Sequence, residues 1–313
     1  MRAAACPFGF PPQQQVCVRK LQILAKDVRL CHAWNHDQQP CDGRMSDRSS
    51  NSRVEILPAQ RRALILERLR IASAASIQDL AAVLGASSST VRRDLDYLTE
   101  RGYIERTHGG AVIPSVPTTR FEPEASIAAE TARGQKAAIA TIAARRLSPG
   151  QSVLFDASST VRETARVISG LDIPLTAVTN DIACALLLSN APAIHTIVAG
   201  GAIRPGSTTL VGSPGQEFLH GIHVDIAFIG VHAISGDTFT ETSLEVAAMK
   251  KRMIAAAHKV IVLADSSKFG GQSFCEICAV GAVDEIVTDD RLPDATRREY
   301  EAMGVKLTLA PSE

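Results

Sequence analysis

The sequence predicts an α/β chain in two parts: a small unit of three helices and a hairpin, then a larger unit built on a mostly parallel sheet. Three observations predict it. Helical periodicity recurs in three short segments between Pro58 and Gly102, and a turn-containing pair of strand-like segments follows them. From Gln151 onward, compact apolar runs alternate with helical ones, the pattern of a parallel sheet covered on both faces. At 313 residues the chain is long enough for about two domains.

Composition narrows the class. Lys+Arg and Asp+Glu number 33 each, which excludes a protein basic from end to end but leaves room for a local basic face. Hydrophobic residues make up 45% and aromatics only 4%, so Ala, Val, Ile and Leu must fill the core. No run approaches the roughly eighteen apolar residues of a membrane span, and Met1–Pro7 offers no secretory apolar stretch. A cytoplasmic location without a membrane partner is the expectation.

Residues 1–52 lack a sustained period and mix Pro, Gln, His and the one Trp, as a disordered extension would. They hold Cys6, Cys17, Cys31 and Cys41, whose gaps fit no zinc spacing. The polar run after Met45 suggests that translation starts there. An odd total of seven cysteines without an export signal argues for reduced thiols, the Cys275–Cys278 pair included.

Pro58 suits a first helical position, with Ala63, Leu64, Leu66 and Leu69 at helical spacing after it. Ile77, Leu80, Ala81 and Leu84 form a second run, with Ser76 and Asp79 as a capping box and Gly85 at the end. Ser87 caps a third run in which Val91, Leu95 and Leu98 face inward, and Gly102 ends it. Tyr103–Ile113 reads as two short strands about a Gly-containing turn. Three helices and a hairpin, with only Gly85 and Ala86 between the second and third helices, make a winged helix-turn-helix over residues 58–113.

Such a unit inserts its third helix into the major groove, N-terminus first. Ser88, Ser89, Thr90, Arg92 and Arg93 stand at that end, with the hydroxyl and guanidinium groups that reach phosphates and base edges. Arg106 and His108 sit in the wing. The unit has eight Arg against six Asp/Glu, so the DNA face must come from placement rather than bulk charge. Asp94 is expected to serve an Arg structurally.

Residues 114–124, with Pro114, Pro117 and Pro123, read as a linker. A single helix is predicted over about 126–147, opening a second domain at 125–313. Its strands are predicted near 152–156, 175–179, 194–199, 225–230, 260–264, 285–288 and 305–309. Ligands of such sheets bind beyond the carboxyl ends of the strands. Asp156, Ser158, Ser159 and Thr160 lie at one strand end, Thr179 and Asn180 at the next, Gly200 and Gly201 at a third and Lys268 at a fifth. Hydroxyls and free amides at a helix N-terminus form an anion pocket, and Lys268 adds a positive charge. The set fits a phosphorylated sugar or polyol.

Ala86–Leu95, Glu100–Gly102 and Arg106–Ala111 together resemble the DeoR family of bacterial transcriptional regulators, with Ala86 and Val91 replacing a usual Val and Ile. The resemblance continues through Asp156–Thr160, Thr179–Asn180, Gly200–Gly201, Ala227–Gly230 and Asp265–Gly270. It implies an α/β sugar-phosphate-sensor domain related in fold to ribose-5-phosphate isomerase. It also implies a regulator, most often a repressor, that binds operator DNA under control of a phosphorylated sugar effector. Ser158 stands where the family has Gly, which implies another backbone shape for that loop. A homo-oligomer on repeated half-sites is expected.

The competing reading is a sugar-phosphate isomerase with a DNA-binding appendage. Glu241 and Glu245, near Lys250 and Lys251, would supply its base. No P-loop, nucleophile elbow or HExxH is present, and His220, His223, His232 and His258 are scattered. No catalytic set, metal or cofactor is expected.

Overall fold

Proline at its first turn starts helix α1 (Pro58–Ala72), as the sequence implies. The computed structural model describes residues 56–114 and 119–311; the Met45 start, the predicted disorder of residues 1–52 and the four cysteines there lie outside the described residues. Helix α1 buries Ala63, Ile65, Leu66 and Leu69. Leu64, one of the apolar residues at helical spacing after Pro58, is 42% exposed, because Ile65 rather than Leu64 falls on the 3.6-residue stripe with Leu66 and Leu69. A strand not anticipated, β1 (Ala74–Ser76), follows.

Helix α2 (Ile77–Leu84) begins at Ser76, whose Oγ accepts the Asp79 amide at 3.1 Å. Gly85 closes it in the left-handed conformation at φ 59°. Helix α3 (Ser88–Glu100) begins at Ser87, whose Oγ accepts the Thr90 amide, and buries Val91, Leu95 and Leu98 completely. Each of these buried side chains contributes roughly 1.5–3 kcal/mol. The wing is β2 (Glu105–Arg106) and β3 (Gly110–Val112), and β3 lies between β1 and β2 in an antiparallel sheet. A Cβ on Gly110 would come within 2.0 Å of the Ala75 carbonyl oxygen, so the β1–β3 crossing requires glycine there.

The single helix predicted over 126–147 is two: α4 (Ala125–Glu130) and α5 (Arg133–Ala144). The break is at Ala132, a non-glycine residue at φ 53°. Its amide donates to Glu67 on α1 at 2.7 Å, and the Lys136 ammonium on α5 donates to the carbonyls of Ala128 and Thr131 at the end of α4. Those contacts hold a conformation that costs an Ala residue about 1–2 kcal/mol. Ile127 of α4 is buried in the winged unit's core, whereas Ile139 and Ala143 of α5 are buried against the large sheet. By packing, the division between the two halves therefore falls at Thr131–Ala132.

The larger half alternates strands and helices in the predicted order. Strand β4 (Ser152–Phe155) leads to α6 (Ser159–Ser169), β5 (Leu175–Thr179) to α7 (Ile182–Ser189), and β6 (Ile194–Val198) to a small antiparallel pair, β7 (Ala202–Ile203) and β8 (Leu210–Val211). Helix α8 (Ser213–His220) and strand β9 (Val224–Gly230) follow. Strands β10 (Ala233–Ser235) and β11 (Thr238–Glu241) form a hairpin before α9 (Leu244–Ala256) and β12 (Ala257–Leu263). Strand β13 (Cys275–Ala279) pairs with β11; β14 (Glu285–Asp289), α10 (Asp294–Ala302) and β15 (Lys306–Ala310) complete the order.

Seven strands form one parallel sheet in the order β15-β14-β12-β9-β4-β5-β6. Alternation along the strands divides its core in two. Leu154, Ala227, Ile229, Val260 and Val262 face one layer of helix and hairpin; Val153, Phe155, Ile226, Phe228, Ile261 and Leu263 face the other. Both faces are buried, which explains continuous apolar strands. Near the amino ends of the strands, fully buried Glu285 takes three hydrogen bonds from Arg146 and lies within 4 Å of Lys259 and Lys306. Burial alone would raise its pKa, but Arg146 and Thr308 pull it down to about 2.

Candidate functional site

The winged half presents the first turn of α3 to solvent. Ser88, Ser89, Arg92 and Arg93 are exposed and Thr90 is partly so, while Arg106 and His108 are exposed in the wing. The hydroxyls of Ser89 and Thr90 both lie within hydrogen-bond distance of the Ser87 cap, at 2.8 and 2.9 Å, which fixes their orientation. Arg92 and Arg93 have no ion pair within 4 Å among the described residues. Arg106 is 3.6 Å from Asp96, an exposed pair that phosphate would readily exchange. Asp94 faces inward, buried, and accepts from Arg61 and Arg62 of α1 at 2.5 and 3.0 Å. The Arg-Arg-Asp run thus divides into two outward cations and one inward anion that clamps α3 to α1.

The larger half has a cavity of about 370 Å³ beyond the carboxyl ends of β4, β9 and β12. Ser158, Ser159, Thr160 and Lys268 line it, as the sequence reading expects. Ser158 is extended at φ −134°, a conformation open to any residue, and its Oγ caps α6 by accepting the Val161 amide at 3.2 Å. The altered loop shape implied by Ser in place of Gly is therefore not needed. The amides of Ser159 and Thr160 precede the first intrahelical bond, which runs from Arg162 to Ser158. Among the described residues Lys268 has no ion-pair partner within 4 Å, unlike Arg162, Arg204 and Lys250 on the same wall.

Asp156, Thr179, Asn180, Gly200 and Gly201 do not line this cavity. Their polar groups serve the framework beneath it. Thr179 donates to the Phe155 carbonyl and accepts the Asp181 amide; Asn180 accepts the Ala157 amide and donates to the Leu210 carbonyl. Gly201 is at φ 125°, and a Cβ there would meet the Val211 carbonyl oxygen at 2.5 Å, so it serves the approach of β7 to β8 rather than of a ligand. Asp156 is fully buried and accepts the Gly230 amide at 3.0 Å.

Several wall residues were not singled out as ligand contacts: Arg162, Arg204, Ser207, Thr209, His232 and Glu122. Arg204 lies three residues after Gly201, in the loop that the Gly-Gly pair opens. His232, one of the four scattered histidines, forms part of the wall. Burial and the charge of Lys268 lower its pKa to about 4, leaving a neutral imidazole that can donate and accept.

Glu241 and Lys250, the pair considered for catalysis, bind each other. The buried Lys250 ammonium lies 2.6 Å from Glu241 and 3.3 Å from Asp156, and donates to the Gly230 carbonyl at 2.7 Å. These carboxylates hold the ammonium charged against the cost of burial, and it in turn draws the Glu241 carboxyl below its usual range although burial would raise it. Glu245 and Lys251 are exposed on α9. The arrangement ties three strand ends together and leaves Glu241 without a free base position.

Residues 61–116 match the DeoR-like helix-turn-helix domain, and residues 131–290 match the DeoR C terminal sensor domain. The chain belongs to the DeoR family. Like its relatives it is a DNA-binding transcriptional regulator with a sensor domain. It is 35% identical to the HTH-type transcriptional regulator GlpR of Haloferax volcanii, over 80% of this chain and 97% of that one. It is 34% identical to the HTH-type transcriptional repressor GlcR of Bacillus subtilis (75% and 89%), and 30% to the repressor CsqR of Escherichia coli K12 (75% and 88%). Among solved structures, ribose 5-phosphate isomerase A of Methanocaldococcus jannaschii aligns at 17% identity and TM-score 0.33, over 43% of this DeoR-family chain and 53% of that one. No helix among the described residues is long and apolar enough to cross a membrane.

Proposed function

We propose that this DeoR-family regulator is a cytoplasmic repressor of sugar or polyol genes, and that a phosphorylated sugar in the cavity lowers its affinity for operator DNA. The observation that carries the reading is the juxtaposition, in one cavity, of the α6 N-terminus, with the Ser159 and Thr160 amides ahead of its first intrahelical bond, and the ammonium of Lys268, which has no ion-pair partner within 4 Å among the described residues. Backbone amides and a cation are what a phosphate dianion recognises. Ser207, Thr209 and neutral His232 are suited to sugar hydroxyls. On the DNA side the roles fall to Ser88, Ser89, Thr90, Arg92 and Arg93 of α3, with Arg106 and His108 in the wing. The winged half, extended by packing to residue 131, acts as the DNA-binding domain, and residues 132–311 act as the sensor.

A single winged unit covers few base pairs, so a homo-oligomer on repeated half-sites is part of the proposal. The test is a mobility shift on the DNA upstream of the chain's own gene and its neighbours, with and without a panel of sugar phosphates. A specific shift that one compound abolishes supports the reading. A shift indifferent to every phosphorylated compound refutes the sensor half.

A further inference from the structure

The segment 119–124, expected to be a plain linker, makes two sets of contacts. Toward the winged half, Phe121 packs edge-on against Tyr103 with ring centroids 4.9 Å apart, and the Glu124 amide donates to the Tyr103 hydroxyl at 2.6 Å. The Glu124 carboxylate accepts from Tyr97 on α3 and from Arg101 at its C-terminal cap. Toward the sensor half, the neighbouring Glu122 forms a two-pronged ion pair with Arg204, with both N–H···O distances 2.6 Å, and accepts from Thr242 at 3.0 Å. Glu122 and Arg204 both line the cavity.

The cavity therefore holds an anion supplied by the chain itself, seated on a guanidinium by the same fork geometry that phosphate uses. Arg204 is oriented for two parallel bonds to an oxyanion. The pair is partly open to water, with side chains 26% and 37% exposed, so exchange for a soluble anion is not opposed by deep burial. Burial works to raise the Glu122 carboxyl, yet Arg204 and Thr242 bring it below its ordinary range, so it is ionised at neutral pH.

Resting on the sugar-phosphate reading above, we propose that Arg204 is an anion subsite of the effector cavity and that Glu122 occupies it as a tethered competitor. A phosphate group bound at the α6 N-terminus takes the guanidinium from Glu122. The strap Phe121–Glu124 then loses its ion pair to the sensor half, with Arg120 beside it still over the Phe274 ring, while it stays tied to the winged half through Tyr97, Arg101 and Tyr103. The released segment is covalently and sterically continuous with the DNA-reading unit.

The test uses the full chain, with inorganic phosphate and ribose 5-phosphate as probes in calorimetric titrations. Glu122→Gln removes the competing charge and should bind both probes roughly threefold to tenfold more tightly, the scale of a partly exposed charged pair. Glu122→Asp keeps the charge and should bind within about twofold of the wild type. Matching thermal unfolding and far-UV circular dichroism show that the variants fold. Hydrogen exchange of the residue 121–125 amides should rise when the wild type is saturated with the tighter probe. Equal or weaker binding by Glu122→Gln, with the wild type binding normally, overturns the competitor and leaves the sensor reading standing. Exchange in 121–125 that is unchanged or slowed also overturns it. If neither wild type nor Glu122→Gln binds either probe or any compound of the sugar-phosphate panel, the sensor reading itself fails, and the competitor with it.

Discussion

Replacing Lys250 by Met tests whether the buried triad is a structural tie. The perturbation keeps most of the unbranched stem and removes the charge. What remains is Asp156, fully buried, and Glu241, 6% exposed, with no cation between them. Removing one partner of a buried ion pair costs about 3–5 kcal/mol, and the lost bond to the Gly230 carbonyl belongs to the same loss. About 4 kcal/mol corresponds to a fall in Tm of about 8–16 °C for a chain of this size. The pH dependence supplies a sharper signature. With Lys250 present, burial already raises the Asp156 carboxyl while Glu241 is held low; without it, burial raises Asp156 further and brings Glu241 above its unfolded value of about 4.3. A group raised in the folded state contributes stability fully present below its unfolded pKa and lost as pH rises through the folded value. The deficit of Lys250→Met should therefore be smallest near pH 4–5 and largest at pH 8. The assay is thermal and urea unfolding by circular dichroism at both pH values. A variant within about 1 kcal/mol of the wild type at pH 8, or one with a pH-independent deficit, refutes the reasoning. Adding Glu241→Gln should restore part of the loss, since it removes one of the stranded charges.

Three other outcomes follow from the geometry. Arg92→Ala should weaken operator binding at least tenfold in a mobility shift while leaving phosphate binding unchanged, and Lys268→Ala should do the reverse; crossing over of either effect would refute the assignment. Asp94→Ala should lower the stability of the winged half by about 3 kcal/mol in urea unfolding, the low end for a buried pair because Arg61 and Arg62 can turn toward water. Glu285→Gln should lose stability at neutral pH and flatten the acid limb. The folded carboxyl titrates at about 2, so its contribution is present above the ordinary carboxylate range and is lost between there and pH 2.

The parts of the fold legible in the sequence are those fixed by local chemistry. Ser76 with Asp79, Ser87, Gly85 and the alternating apolar runs each specify a cap, a stop or a strand within a few residues, and the structure realises them. Strand β1 was invisible because Ala74–Ser76 has no strand propensity of its own; it exists because Gly110 lets β3 pair with it. The break at Ala132 was equally hidden, since Ala favours helix and the left-handed turn is imposed by Glu67 and Lys136 from elsewhere in the chain. The cavity divides the same way. Ser158–Thr160 and Lys268 follow directly from strand ends, whereas Arg204 and His232 reach it only through the β7–β8 pair and the β9–β10 connection. A strand-end rule also selects framework residues, and Thr179 and Asn180 are of that kind.

The position of the sensor cavity makes ligand control of DNA binding a short-range problem. Helix α4 and the strap belong to the winged half by their packing, yet Glu122, Pro123, Glu124, Ala125 and Ala128 form part of the cavity wall. A ligand there would touch groups bonded to Tyr97 of α3 and to its cap Arg101 and, at once, groups of the sensor sheet. No chain of intermediates across the sheet is required. An effector need only prefer the arrangement with the strap displaced by the 1–3 kcal/mol typical of allosteric coupling, a scale that exchanging one two-pronged ion pair can supply. By linkage, operator DNA that favours the seated strap must weaken the effector by the same factor.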